Sequence, residues 1–216
     1  MKKRSVLLWI ALCFSFLPSH VFAQDSDKNP GFGLGIRAGF VDIKDSGLSG
    51  VDAELDTARA AGVTGTYHLG KYFSLEAALD HAFRNEIVLR RQGTRSELGE
   101  FSQTAATLGL RLHIPTGTRL TPYLGGGGGY FFNDFTISPT ISSTLPGTTA
   151  FINDDVGYFA NVGAEFLFAK NKAFCVDLRG FWNETDAIIS IPRFGTTSYN
   201  VDLLGAMGTV GLKYYF

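Results

Sequence analysis

Charged side chains are spaced through several segments in which polar and apolar residues otherwise alternate. Four of them are basic and four are acidic, so they can neutralise one another if they all point to the same side. Buried charges persist only when they are paired and hydrogen-bonded. The sequence therefore predicts a cluster of salt bridges formed by Arg37, Glu76, Asp80, Arg111, Glu165, Asp177, Arg179 and Lys213. Such a cluster can be structural packing or a gate for ions or protons, and the sequence leaves both open.

A second set of residues shares the face of these charges but is apolar. Side chains two positions apart in a strand point to the same side. The set consists of Val41, Ile43, Phe131, Phe159, Phe181, Leu203 and Met207, beside the small Gly127, Gly129, Gly157 and Gly205. Apolar walls with glycine spaces can enclose a small hydrophobic molecule, and they can equally fill a closed interior. Both interpretations stay open at this point.

Eight alternating segments are needed to position these side chains. They cover residues 31–43, 58–69, 72–83, 101–114, 121–132, 156–168, 174–183 and 201–216. Each has about the ten residues that a tilted membrane-spanning strand requires. The connections alternate between short turns (70–71, 115–120, 169–173) and long polar loops (44–57, 84–100, 133–155, 184–200). Short turns on one side and long loops on the other are typical of a bacterial outer-membrane barrel.

The opposite face of the segments is apolar and almost free of charge. Leu108, Leu110 and Leu112 show this in one segment, and residues 204–216 alternate in the same way up to the terminal aromatic. Slipping the register by one residue would turn charges toward lipid. A soluble barrel would place this apolar face inside. The loop asymmetry, the amino-terminal signal and the aromatic terminus favour the membrane: an all-β, eight-stranded antiparallel transmembrane barrel with short periplasmic turns and long extracellular loops.

The amino terminus resembles a secretory signal peptide. Lys2, Lys3 and Arg4 precede an apolar stretch, and residues 21–23 (VFA) form a cleavage site. We therefore predict a signal peptide over residues 1–23 and a barrel domain over residues 24–216. Lys and Arg total 19 against 20 Asp and Glu, and no basic run follows the signal, which argues against a nucleic-acid partner.

Three stretches resemble the small eight-stranded outer-membrane barrels, OmpW-type proteins in particular. They are residues 120–130 (LTPYLGGGGGY), 155–165 (DVGYFANVGAE) and 212–216 (LKYYF), and OmpA-like barrels share much of the pattern. The resemblance implies that Phe216, supported by Tyr214, is a signal for the barrel assembly machinery. The alternative is an aromatic residue that only lies at the membrane interface. The resemblance to OmpW-type barrels also implies a lumen pocket from which apolar compounds pass sideways into the bilayer.

The sequence lacks complete motifs for metal binding, catalysis or phosphate binding. His68 and His113 lack a third metal ligand at clear spacing, and His81 with Thr104 on the lipid side lacks an outward carboxylate to orient it. Residues 125–129 (GGGGG) are not followed by the Lys-Ser/Thr of a phosphate loop. We expect no enzyme activity, no cofactor and no metal site.

Two functions remain for a barrel in the bacterial outer membrane. The first is binding or admission of small hydrophobic molecules in an apolar vestibule above the predicted cluster of salt bridges, which would plug the floor of the lumen. The second is a structural or surface-interaction role, with a filled lumen and loops that contact external partners. Lipid, lipopolysaccharide, periplasmic chaperones and the assembly machinery are the other expected partners.

Overall fold

The computed structural model describes residues 31–45, 53–55, 57–91, 94–144, 146–192 and 195–216. Of residues 44–45, 53–55, 85–91 and 94–98 only the backbone is described. The predicted signal peptide and the polar segment after it, residues 24–30, lie outside the described residues.

The described chain is a succession of antiparallel strands and one short helix. The strands are β1 (Phe32–Asp45), β2 (Ala53–Leu55), β3 (Ala58–His68), β4 (Phe73–Arg91), β5 (Thr94–His113), β6 (Leu120–Ile137), β7 (Thr149–Ile152), β8 (Asp155–Ala169), β9 (Lys172–Ile191) and β10 (Gly195–Tyr215). Helix α1 (Pro139–Thr144) lies between β6 and β7. No helix of the described residues is long and apolar enough to cross a bilayer.

Eight of the strands form a closed ring. Their order is β1-β3-β4-β5-β6-β8-β9-β10, and β10 pairs with β1 from Gly33↔Tyr215 to Asp45↔Leu203. The short β2 pairs with β4 and the short β7 pairs with β9, both outside the ring. Closure leaves no unpaired edge among the long strands, which is the condition for crossing a membrane with strands. The predicted eight-stranded antiparallel barrel is confirmed.

The predicted division into two faces is also found. Ile36 is 64% exposed while its neighbour Arg37 is 8% exposed, and a similar alternation runs through much of each ring strand, interrupted at residues 125–129 (GGGGG) of β6. The outward side chains are mostly large and apolar, among them Phe40, Leu108 and Val162. Because lipid rather than water surrounds this surface, its apolar exposure is favourable.

Two of the three predicted short turns contain a glycine with a positive φ. Gly70 has φ 126° before β4, and Gly117 has φ 73° before β6. Residues with a β-carbon rarely adopt such angles, so glycine allows the chain to reverse within a few residues. These turns keep neighbouring strands in register at the predicted periplasmic end.

The predicted long loops are partly wrong. Residues 84–100 and 184–200 were expected to be loops, but β4 and β5 pair as far as Arg91↔Thr94, and β9 and β10 pair as far as Gly195↔Ile191. The expected loop 133–155 contains the end of β6, helix α1 and β7. Beyond the membrane both faces of a strand meet water, so the alternation that marks a membrane strand disappears while the hydrogen-bonded ladder continues.

The outward register predicts the effect of a charge on the lipid face. Leu178 is 60% exposed and pairs with Val162 and Gly208 in the middle of the barrel wall. We expect Leu178→Arg to lower the free energy of unfolding by about 2–4 kcal/mol more than Leu178→Ala, because the guanidinium would lie in hydrocarbon. Urea unfolding of the barrel in lipid vesicles measures the difference. Equal values for the two variants would contradict the outward placement of this residue.

Candidate functional site: a charged floor and an apolar column

The eight charged residues singled out in the sequence lie together inside the barrel; we call them the floor. The alternation of six strands brings them there: β1, β4, β5, β8, β9 and β10. Their exposure ranges from 3% for Arg111, Glu165 and Asp177 to 8% for Arg37. All eight take part in ion pairs with one another.

Glu76 is the centre of the floor, because it contacts all four cations. Its carboxylate oxygens lie 3.5 Å from Arg37 Nη1 and 2.6 Å from Arg111 Nη2. They lie 3.4 Å from Arg179 Nη2 and 3.2 Å from Lys213 Nζ. One anion shared by four cations needs further anions around it, and the other three acidic residues supply them.

The remaining carboxylates complete the neutralisation from different sides. Asp80 accepts a hydrogen bond from Arg37 Nε at 2.7 Å, pairs with the same guanidinium through Nη2, and lies 3.4 Å from Arg179 Nη1. Glu165 lies 2.6 Å from Lys213 Nζ and accepts a hydrogen bond from the Tyr215 hydroxyl. Arg and carboxylate groups held by several short contacts form the stronger class of ionic interaction.

Uncharged residues also belong to the floor, and the sequence reasoning missed them. Tyr123 Oη and Asn161 Nδ2 both donate to Asp177 Oδ2, at 2.8 Å and 2.6 Å. The Arg111 guanidinium carbon lies 4.2 Å from the centre of the Tyr123 ring. Both residues occupy inward positions of the same alternation, so period-two counting could have found them had uncharged residues been included.

The floor is tightly packed. A void of about 20 Å³ lies within it, bordered by Arg37, Glu76, Arg111 and Asp177 among others. That is room for about one water molecule. Packing of this density favours a structural role for the floor over an ion gate.

Above the floor, toward the extended hairpins, apolar residues form one buried cluster that we call the apolar column. It contains all seven predicted vestibule residues, Val41, Ile43, Phe131, Phe159, Phe181, Leu203 and Met207, together with Ala58, Ala60, Phe101 and Val201. Partly buried Phe135, Ile152 and Ala187 pack against it. Phe159 lies at the lower end, where the Arg179 guanidinium carbon is 4.3 Å from its ring centre.

Glycines make room for the phenyl rings of the column. The Phe181 ring occupies the space where Gly205 would carry a side chain. A β-carbon on Gly157 would lie 2.7 Å from the Phe131 ring, and one on Gly109 would lie 2.5 Å from Phe159. The other two predicted glycines, Gly127 and Gly129, face β5 instead. The rings thus fill much of the lumen at this level.

A polar group interrupts the column on the β5–β6 side. Gln103 Nε2 donates to Asn133 Oδ1 at 2.9 Å, and Asn133 Nδ2 donates to the carbonyl of Asn153 at 2.8 Å. Thr185 Oγ1 donates to the same carbonyl at 2.7 Å. The segment between β7 and β8 is therefore anchored to the inner wall near the mouth.

The carboxy-terminal aromatics lie on the outer surface at the other end. The backbone nitrogen of Phe216 donates to the carbonyl of Phe32 at 2.9 Å, and the two rings stack with centres 6.0 Å apart. Tyr214 packs edge-on against Phe216 at 4.9 Å. Phe216 is 61% exposed, so it is accessible from outside the barrel.

Of the histidines considered for other chemistry, His113 and His81 have hydrogen-bond partners, whereas His68 Nε2 is buried without one among the described residues. The rings of His68 and His113 are 5.0 Å apart, and His113 Nε2 is hydrogen-bonded to Ser74 Oγ at 2.7 Å. On the lipid side His81 Nδ1 is hydrogen-bonded to Thr104 Oγ1 at 2.9 Å. Within the described ranges, no three His, Cys, Asp or Glu residues are grouped so that they could hold a metal ion.

A large concave surface is lined mainly by residues of the outward set. It has a volume of about 970 Å³ and an apolar lining that includes Leu34, Val63, Leu79 and Leu108. Most of this lining faces lipid, and Lys213 of the floor borders the surface from the barrel wall.

Comparison with known proteins agrees with this architecture. The family profile described as "Outer membrane protein beta-barrel domain" matches residues 9–216, nearly the whole chain. The chain belongs to the outer membrane β-barrel family. Its place is therefore the bacterial outer membrane, as the sequence predicts. No protein with a curated description matches this family member in sequence.

Solved structures show the same fold as this outer membrane barrel. OprG from Pseudomonas aeruginosa is 21% identical, with a TM-score of 0.66, and the match covers 89% of this chain and 100% of OprG. AlkL, solved in lipid bilayers, is 18% identical with a TM-score of 0.60 over 93% of this chain and 97% of AlkL. Neisserial surface protein A is 13% identical with a TM-score of 0.57, covering 86% and 97%.

The floor of this barrel can be tested by removing one anion. We expect Glu165→Leu to lower the free energy of unfolding by about 3–5 kcal/mol, because Lys213 would keep its charge without its 2.6 Å partner. Urea unfolding of the refolded barrel measures the loss.

The matched control removes both charges. Glu165→Leu combined with Lys213→Met should recover most of the stability, since Glu76 keeps its three arginines. A single variant as stable as the original protein would show that the Glu165–Lys213 pair does not hold the floor together.

Proposed function

We propose that this outer membrane barrel binds and admits small hydrophobic molecules through the lumen above its floor. The observation that carries the proposal is the length of the apolar column. It runs from Phe159, beside the floor, to Ile152 and Ala187, which lie in the paired segments beyond the predicted membrane strands. Lining of this kind suits an apolar molecule better than a hydrated one.

The position of the column supports a route from outside. An apolar lining near the mouth is exposed to water unless side chains or a bound molecule cover it. Each Å² of apolar surface that a bound molecule removes from water would contribute roughly 25 cal/mol to the free energy of binding. The floor closes the lumen toward the predicted periplasmic end. A bound molecule would therefore leave sideways between strands into the bilayer, as the resemblance to OmpW-type barrels implies.

A second candidate is a structural or surface-interaction barrel whose lumen is filled. The seating of Phe131, Phe159 and Phe181 on glycines favours it, because each ring is at most 6% exposed. In that case the paired extensions of β4–β5 and β9–β10 would be the surface that contacts external partners. Neither candidate assigns a catalytic role to the chain.

We further propose that the barrel assembly machinery and periplasmic chaperones bind the carboxy-terminal aromatics. Tyr214 on the outward face of β10 is 41% exposed, and Phe216, which directly follows β10, is 61% exposed. Lipid and lipopolysaccharide would contact the same outward surface after insertion.

Binding of an apolar fluorescent probe separates the two candidates for the lumen. N-phenyl-1-naphthylamine is titrated into the barrel refolded in lipid nanodiscs, with protein-free lipid as the blank. We expect saturable binding to the original protein and its loss in Phe159→Glu, because a carboxylate would then lie in the apolar column. The new carboxylate would face Arg179, so the variant is expected to fold.

Phe159→Leu is the matched control, because it keeps the site apolar and should retain saturable binding. Equal, non-saturating signals from the original protein and both variants would contradict solute binding and favour the filled barrel.

A further inference from the structure

Asn183 carries a buried amide with no hydrogen-bond partner. It is 4% exposed, and neither its Nδ2 nor its Oδ1 has a partner among the described residues. It lies on the inner face of β9 between Phe181 and Thr185, and it pairs in register with Gly157 and Leu203. A buried amide of this kind loses its bonds to water and gains nothing in return, so it requires an explanation.

The surroundings of Asn183 belong to the apolar column. Its β-carbon and the Phe131 ring both border the space above Gly157, at 2.6 Å and 2.7 Å from where a β-carbon would be. The Phe131 and Phe181 rings stack with centres 5.7 Å apart. The amide thus lies beside the aromatic side chains of the column.

Other polar side chains at this level have partners. Asn133 is bonded to Gln103 and to the Asn153 carbonyl, and Thr185, next to Asn183 on the inner face, donates to the same carbonyl. The hydrogen bonds among Gln103, Asn133, Thr185 and the Asn153 carbonyl therefore do not involve Asn183. The free amide is available to something that enters the column.

We propose that the column takes small amphipathic molecules with an apolar body and one neutral hydroxyl group, which is bound by Asn183. An uncharged amide both donates and accepts hydrogen bonds, and a hydroxyl does the same. The apolar body would pack among Phe131, Phe181 and Leu203. This inference rests on the proposed function and narrows its ligand class from hydrophobic molecules in general to alcohols and phenols.

Two fluorescent molecules of nearly equal shape test the hydroxyl. 1-Naphthol and 1-methylnaphthalene are titrated separately into the full barrel in lipid nanodiscs, and the ratio of their dissociation constants is compared between the original protein and Asn183→Leu. Comparing ratios cancels the different partitioning of the two probes into lipid. We expect the preference for 1-naphthol to fall about threefold to tenfold in the variant, the range of one net hydrogen bond.

Asn183→Leu replaces an unpaired amide with an apolar side chain of similar size, so it should fold and unfold at the same or a higher urea concentration. Asn183→Ser keeps a hydroxyl at the position and should retain part of the preference. A preference in Asn183→Leu equal to that of the original protein would overturn the inference, with ordered water alone satisfying the amide. In that outcome saturable binding of both probes would leave the proposed function intact, whereas no saturable binding of either probe would overturn both.

Discussion

Lipid cannot solvate a peptide group, so every membrane-spanning strand of this chain needs a hydrogen-bonded neighbour on each side. The pairing of β1 with β10 supplies the last of these neighbours and closes the ring. All other features follow from that closure. Closure separates an outward surface in contact with lipid from an inward surface that lipid does not reach. Inside this wall, each of the eight charged side chains of the floor is less than 10% exposed.

The floor depends on closure more strictly than the apolar column does. Its charges come from six strands, including both strands that meet at the closing seam, where Arg37 of β1 and Lys213 of β10 share Glu76 as a partner. An open sheet could not bring these groups together. The column, by contrast, packs through non-directional contacts and tolerates rearrangement of its rings, which is what entry of a solute requires.

The fold could be predicted from the sequence because one side of each strand faces lipid and the other faces the lumen. Apolar and polar residues therefore alternate with a period of two along the strand. Ile36 and Arg37 differ in character for that reason. The pattern fades where both faces meet water, so the strand character of residues 84–100 and 184–200 was missed. In the lumen, the charged and the large apolar residues could be recognised from the sequence, whereas Tyr123 and Asn183 could not. The role of an uncharged inward residue depends on which side chains surround it, and these neighbours are known only from the folded structure.

Cys175 lies on the inner face of β9, 7% exposed, in register with Glu165 on one side and Gly211 on the other. The only other cysteine of the sequence, Cys13, falls in the predicted signal peptide. A water-soluble thiol reagent can therefore react with Cys175 before the sheet has closed. It loses access to the thiol once β10 has paired with β1. The loss of alkylation at Cys175 therefore reports the time at which the barrel closes during folding.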